Sequence, residues 1–151
     1  AAWNDVNAFP RAHERGIAIT ERSRPLAHDF TDLVRVGLRS GGETTRVVGT
    51  VLGRRNRPHL LEAWGSRFNV QLEEHLAVFR YRDQPGMLGR VGTALGNAGV
   101  NIVSAAVGRR PGDQSDGEAV MIVTADARVP TEVLESLVGG EDFFAARAVS
   151  L

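Results

Sequence analysis

The chain has no cysteine, and of aromatic residues it has only two Trp, one Tyr and six Phe. Without cysteine there are no disulfides, no thiolate nucleophile and none of the usual zinc frameworks, which is compatible with a reducing compartment. Histidine is sparse as well: His13, His28, His59 and His75 are far apart, no pair has metal-ligand spacing, and no nucleophile motif such as G-x-S-x-G lies near them. Neither a catalytic residue nor a metal site is therefore expected. An excess of either charge is also missing, since eighteen basic residues balance eighteen acidic ones. No overall field draws the chain toward nucleic acid or an anionic membrane, so a partner must be recognised locally. No apolar run approaches the roughly 20 residues that span a bilayer, and no charged-then-apolar signal pattern opens the chain. A soluble, cytoplasmic protein is expected. The first residue is Ala, which suggests a chain processed or cut from something longer.

What is present is texture in two parts. With 151 residues, 42% of them hydrophobic, the chain can bury one core or two small ones, and two are expected: residues 1–75 and 76–151. In the first part, "FPRAHERG" reads as a short helix entered at Pro10 and stopped by Gly16. The β-branched stretches "IAITER", "FTDLVRVGLR" and "ETTRVVGTVL" follow, the last two joined by the turn "SGG"; "PHLLEAW" and "FNVQLE" continue around a turn at "GSR". This part is mostly antiparallel sheet. The second part alternates. "LAVFRYR" is a half-buried strand with Leu76, Val78 and Arg80 on one side and Ala77, Phe79 and Tyr81 on the other. A helix follows with Leu88, Val91, Leu95 and Ala98 as its apolar face and Gly99 ending it. Then come the strand "VNIVSAAVG", the polar loop "RRPGDQSDG", the strand "EAVMIVTAD", the helix "PTEVLESLVG" opened by Pro130 and Thr131, and the strand "FFAARAVSL". The fold class is α+β: a mostly antiparallel β domain, then a βαββαβ unit of ferredoxin-like type with two helices on one face of a four-stranded sheet.

Glycines 89, 92 and 96 fall inside the predicted helix, not in a strand-to-helix turn, so they do not make a dinucleotide loop. Such a stripe suggests close approach to the sheet beneath or to a second subunit. Arg54, Arg55, Arg57 and Arg67 form a basic stretch that is either a solvated loop or a small anion site. Nucleic acid is disfavoured by the neutral charge and by the lack of an aromatic RNP motif. The corner "YRDQPGML" leaves two readings open. Asp83 is an N-cap, with Pro85 and Gly86 shaping the first turn; alternatively, the helix N–H groups hold a carboxylate while Asp83 pairs with an ammonium group. A free amino acid carries both groups. Asn101 begins the strand after the helix, either as a turn residue or as a donor and acceptor to the same ligand.

"YRDQPGMLGRVGTALGNAGVNI" resembles the ACT domain signature, a strand, a D-x-P-G-x-L corner, a helix and a G-V-N-I strand start. Upstream, "VNAFPRAHERGIAITE" and "VVGTVLG" resemble the intervening domain of long-form D-3-phosphoglycerate dehydrogenases, so the resemblance covers nearly the whole chain. It implies an intervening regulatory domain over residues 1–75 and an ACT domain over 76–151, in a homo-oligomer formed by ACT pairing. The implied effector is L-serine or another small amino acid, held by Tyr81, Asp83 and Asn101 and by the backbone around Gln84, Pro85, Gly86, Met87 and Leu88. The family's basic positions fall on His59, Arg67 and Gln71, which leaves His59 and Arg67 as a candidate anion site. No cofactor belongs to this chain by the resemblance; NAD and the catalytic domains belong to the parent enzyme. The alternatives are an oligomerisation scaffold that binds no ligand, an ACT module for a different amino acid, and an independent enzyme.

Overall fold

The computed structural model describes residues 7–23, 32–109 and 117–151. Most of the polar loop read over 109–117 lies outside the described residues, as do His28 and the first two residues of the strand read over 30–39. Helix α1 (Ala8–Glu14) stops where expected, with Gly16 in the left-handed region at φ 71°. Residues 17–22, expected as a strand, are not one: they pair with no described strand, and Ile17 and Ile19 are exposed. β-branched composition makes a strand only where a neighbouring edge accepts it, so propensity alone misled here.

Strands β1 (Leu33–Ser40), β2 (Glu43–Leu52), β3 (Arg57–Ala63) and β4 (Ser66–Gln71) form an antiparallel meander in that order. The "SGG" signal turns as read. Gly41 and Gly42 both have positive φ, as the primed hairpin turns that match strand twist require. The turn expected at 65–67 lies slightly earlier, at Trp64 and Gly65, and Ser66 already pairs with Ala63.

The second half builds β5 (His75–Arg82), α2 (Met87–Asn97), β6 (Ile102–Arg109), β7 (Glu118–Ala125), α3 (Thr131–Val138) and β8 (Phe143–Ser150). The sheet order is β6-β7-β5-β8, the ferredoxin-like arrangement expected of this βαββαβ order. On the helix-covered face, Ala77, Phe79 and Tyr81 of β5 join Ala119, Met121 and Val123 of β7 in one buried core with Met87, Val91, Leu95 and Leu137. The helix α2 is rotated from its expected setting. Met87, Val91 and Leu95 are buried with Ala94 partly so, whereas Leu88 is 50% exposed and Ala98 is exposed. Leu88 lies on the flank toward the sheet edge, four residues before Gly92, which Ile102 of β6 approaches. Of the glycine stripe, Gly92 alone nears the sheet among the described residues: a Cβ at Gly89 or Gly96 would meet nothing within 4 Å. Gly99 ends the helix at φ 73°, as read.

The central strand β7 is apolar along its length because both of its faces are covered. Its outer face, with Ile122, packs with Val78 and Ala106 against Leu60, Phe68, Val70 and Leu72 of the first sheet and the segment leaving it. Burying one such side chain is worth about 1.5–3 kcal/mol. The two sheets approach closely at Gly108 of β6, where a Cβ would lie 2.5 Å from Phe68 Cε1 and 2.7 Å from the Arg67 carbonyl oxygen. Space, not backbone conformation, demands glycine there. Gly108→Ala is expected to cost about 1–3 kcal/mol in urea unfolding. In a Phe68→Ala background the cost should shrink without vanishing, because the Arg67 carbonyl stays in the way.

Candidate functional site

The strand β5 delivers two candidate residues to one corner. Tyr81 is 3% exposed and stacks at a tilt on Phe143, with ring centroids 5.9 Å apart. Two residues on, the Asp83 backbone N–H donates to the Gly117 carbonyl at 2.7 Å, which extends the pairing of β5 beyond its last residue. The Asp83 side chain does not cap α2. The N-cap position is Gly86, at φ 89°, and no side chain bonds the helix N-terminus. The Pro85-Gly86 turn places Asp83 too far upstream to cap, and its carboxylate instead accepts from Arg109 at the end of β6. Arg109 Nη2 donates to Oδ1 at 3.1 Å while Nε donates to Oδ2. This is the bidentate geometry in which a guanidinium binds a carboxylate most strongly.

The electrostatics follow from that pair. Burial foremost, and then the Asp83 charge, push the Tyr81 hydroxyl above its ordinary range, with Arg109 opposing. The Arg109 guanidinium is held more firmly protonated, first by its hydrogen bond to Asp83 and then by that group's charge. At the start of α2, Met87 is buried, and Gln84 Nε2 and Arg90 Nη1 approach its sulfur at 3.6 and 3.7 Å. Pro85, Gly86 and Leu88 are exposed around a helix N-terminus whose first N–H groups have no side-chain acceptor.

Asn101 is elsewhere. Its backbone N–H donates to Asp126 Oδ1 at 3.0 Å and its side-chain amide to Oδ2 at 2.9 Å. The Asn101 oxygen is left to accept from another group. Both β5 and β6 run antiparallel to β7, so they run parallel to each other. Their starts, His75 and Ile102, both lie opposite Ala125. Asp83 follows the end of β5 and Asn101 precedes the start of β6. The two are therefore separated by the length of the strand, about 25 Å at the rise of an extended chain. Within one chain the two corners do not meet.

Between them runs β6, an edge strand that among the described residues pairs only with β7. Its apolar side chains are not hidden: Val103 is 61% exposed, and Ile102 and Val107 are also exposed. An apolar edge of this kind is the sort that another strand covers. In the first sheet, His59 and Arg67 lie on adjacent strands, opposite Gln71 and Glu62 respectively. His59 Nδ1 is engaged with Asn69 Oδ1 at 2.9 Å, and Arg67 is exposed. Among the described residues there is no cluster that could hold a metal, and no helix is long and apolar enough to cross a membrane.

Sequence reasoning did not single out Arg109 or Asp126. Both follow from the βαββαβ order, which sets the end of β6 at the same end of the sheet as the end of β5, with β7 between them, and the end of β7 beside the start of β6.

The comparisons agree with this architecture. Residues 75–138 match the ACT domain family. The chain is 35% identical over 137 residues, 91% of its length, to D-3-phosphoglycerate dehydrogenase of Methanocaldococcus jannaschii, and 33% identical over 134 residues, 89% of its length, to that of Archaeoglobus fulgidus. To the Bacillus subtilis protein of the same name it is 27% identical over 98% of its length. It spans about a quarter of the length of these relatives: 25% of the first two and 27% of the third.

The Asp126 carboxylate gives this corner a pH signature. Hydrogen bonds from the Asn101 side chain and backbone hold it below the ordinary aspartate range, with His75 a lesser contributor. A depressed carboxylate stabilises the fold above its unfolded value of about 3.9, and the gain is lost as pH falls through the folded value. The stability difference between the native chain and Asp126→Ala, measured by urea unfolding, is thus expected to be full near neutrality and to shrink in acid below about pH 4.

The second half of the chain thus holds the segment, residues 75–138, that matches the ACT domain family, and the chain as a whole is similar to about a quarter of D-3-phosphoglycerate dehydrogenase.

Proposed function

We propose that the chain is the regulatory module of a serine-producing, NAD-dependent D-3-phosphoglycerate dehydrogenase, and that two copies pair through β6 and bind L-serine at the seam as a feedback inhibitor. The observation that carries this reading is the separation of the two corners along an apolar edge strand. A second copy added antiparallel to β6, about a two-fold axis, sets the start of one β6 against the end of the other. Asn101 of one chain then approaches the Asp83 corner of the other, and the pairing forms two equivalent sites. It also covers Val103 and Val107, and it gives the exposed Leu88 flank of α2 a neighbour. In each site the uncapped N–H groups of α2 suit a carboxylate, Asp83 suits the ammonium group, and the free Asn101 oxygen suits the ammonium or hydroxyl.

One observation favours an oligomerisation scaffold with no ligand: the Asp83 charge is already met by Arg109. The two readings differ in a single titration. Calorimetry of the full chain with L-serine is expected to show saturable binding that Asp83→Ala abolishes, while the mass of the oligomer stays unchanged. An oligomer that gives neither heat nor a thermal shift with millimolar L-serine belongs to the scaffold reading.

A further inference from the structure

We infer that Arg109 is a ligand-binding residue that reads the carboxylate of the amino acid, so that the Asp83–Arg109 pair recognises a zwitterion as a unit; this rests on the amino-acid reading above. The guanidinium uses Nε and Nη2 on Asp83, and its other edge, Nη1 with the second N–H of Nη2, faces away from that carboxylate. The Arg109 side chain is 66% exposed, whereas that of Asp83 is 26% exposed, so the pair has an inner anion and an outer cation. Each Asp83 oxygen accepts one bond from Arg109 and keeps acceptor capacity for an ammonium group. A zwitterion laid along the pair sets its ammonium on Asp83 and one carboxylate oxygen on the free guanidinium edge, which leaves the second oxygen for the N–H groups of α2.

The pair carries no net charge, which makes the selectivity specific. An organic acid without an amino group would meet Arg109 but be repelled by Asp83. An amine without a carboxylate would meet Asp83 but be repelled by Arg109. The frame is fixed on three sides: Asp83 N–H is tied to Gly117, Tyr81 is packed on Phe143, and Gly108 beside Arg109 is wedged against Phe68 and the Arg67 carbonyl. With the backbone fixed at both ends of the pair, only side-chain torsions remain to be ordered when the ligand arrives.

The test uses two probes on the full chain: L-serine, and ethanolamine, which keeps the ammonium and hydroxyl but has no carboxylate. Arg109→Gln is expected to weaken L-serine binding about tenfold or more, the loss of a charge-assisted contact, and not to weaken ethanolamine. Arg109→Lys should recover part of the L-serine affinity. Because the side chain is exposed, both variants should unfold with the native chain, which excludes a folding defect. If Arg109→Gln binds L-serine as the native chain does while Asp83→Ala does not, the role of Arg109 is overturned and the amino-acid site stands. Equal losses for the two probes, or a Lys variant as weak as the Gln variant, also overturn it, because Arg109 would then only position Asp83. If the native chain binds no L-serine, the amino-acid reading fails and this inference fails with it.

Discussion

The helix α2 joins β5 to β6 as a crossover, so the two strands run in the same direction with β7 between them. Nearly everything of functional interest follows from that constraint. It sends the chain back to the start of the sheet before β6 begins, and so places Asp83 and Asn101 at opposite ends. It leaves β6 at the edge with unpaired backbone groups, and it brings Arg109 back to the Asp83 corner. In the proposed reading the two corners are half-sites, and they meet only when a second copy reverses the order.

The same strand has a second attachment. Its outer face carries Gly108, on which Phe68 of the first sheet rests, one residue before Arg109. A change at the Asp83–Arg109 pair is thus one residue away from a close contact between the two sheets. Such proximity becomes regulation only if a ligand prefers one arrangement of the parts, because equal affinity for two states shifts nothing. The fold supplies a short, densely packed connection through which that preference can act.

Much of this was legible in the sequence. Alternation put Ala77, Phe79 and Tyr81 together on one face of β5, the face that the fold turns to the core, the glycine pair 41–42 announced its hairpin, and the order of elements gave the second sheet its topology. Residues 17–22 were misread because strand propensity carries no information about whether an edge is free to pair. The face of α2 was misread because a short amphipathic helix in which seven of eleven residues are small or polar admits more than one rotation, and the one adopted buries Met87 and Val91 in the core that holds Phe79 and Met121. The cap assigned to Asp83 failed for a related reason. Capping is judged from local spacing, while the carboxylate found a stronger partner 26 residues away. Arg109 and Asp126 were visible only through topology, as residues at strand ends that the fold makes neighbours.

The claim at the centre of this account is that each ligand site is shared between two chains, and mixed oligomers measure it most directly. Asp83→Ala and Asn101→Ala chains, refolded together and separated as a verified mixed dimer, carry one site with both defects and one with neither. The account predicts that neither variant binds L-serine in its own homodimer, and that the mixed dimer recovers half the native number of sites at native affinity in calorimetry. A verified mixed dimer that binds no L-serine would contradict the shared site.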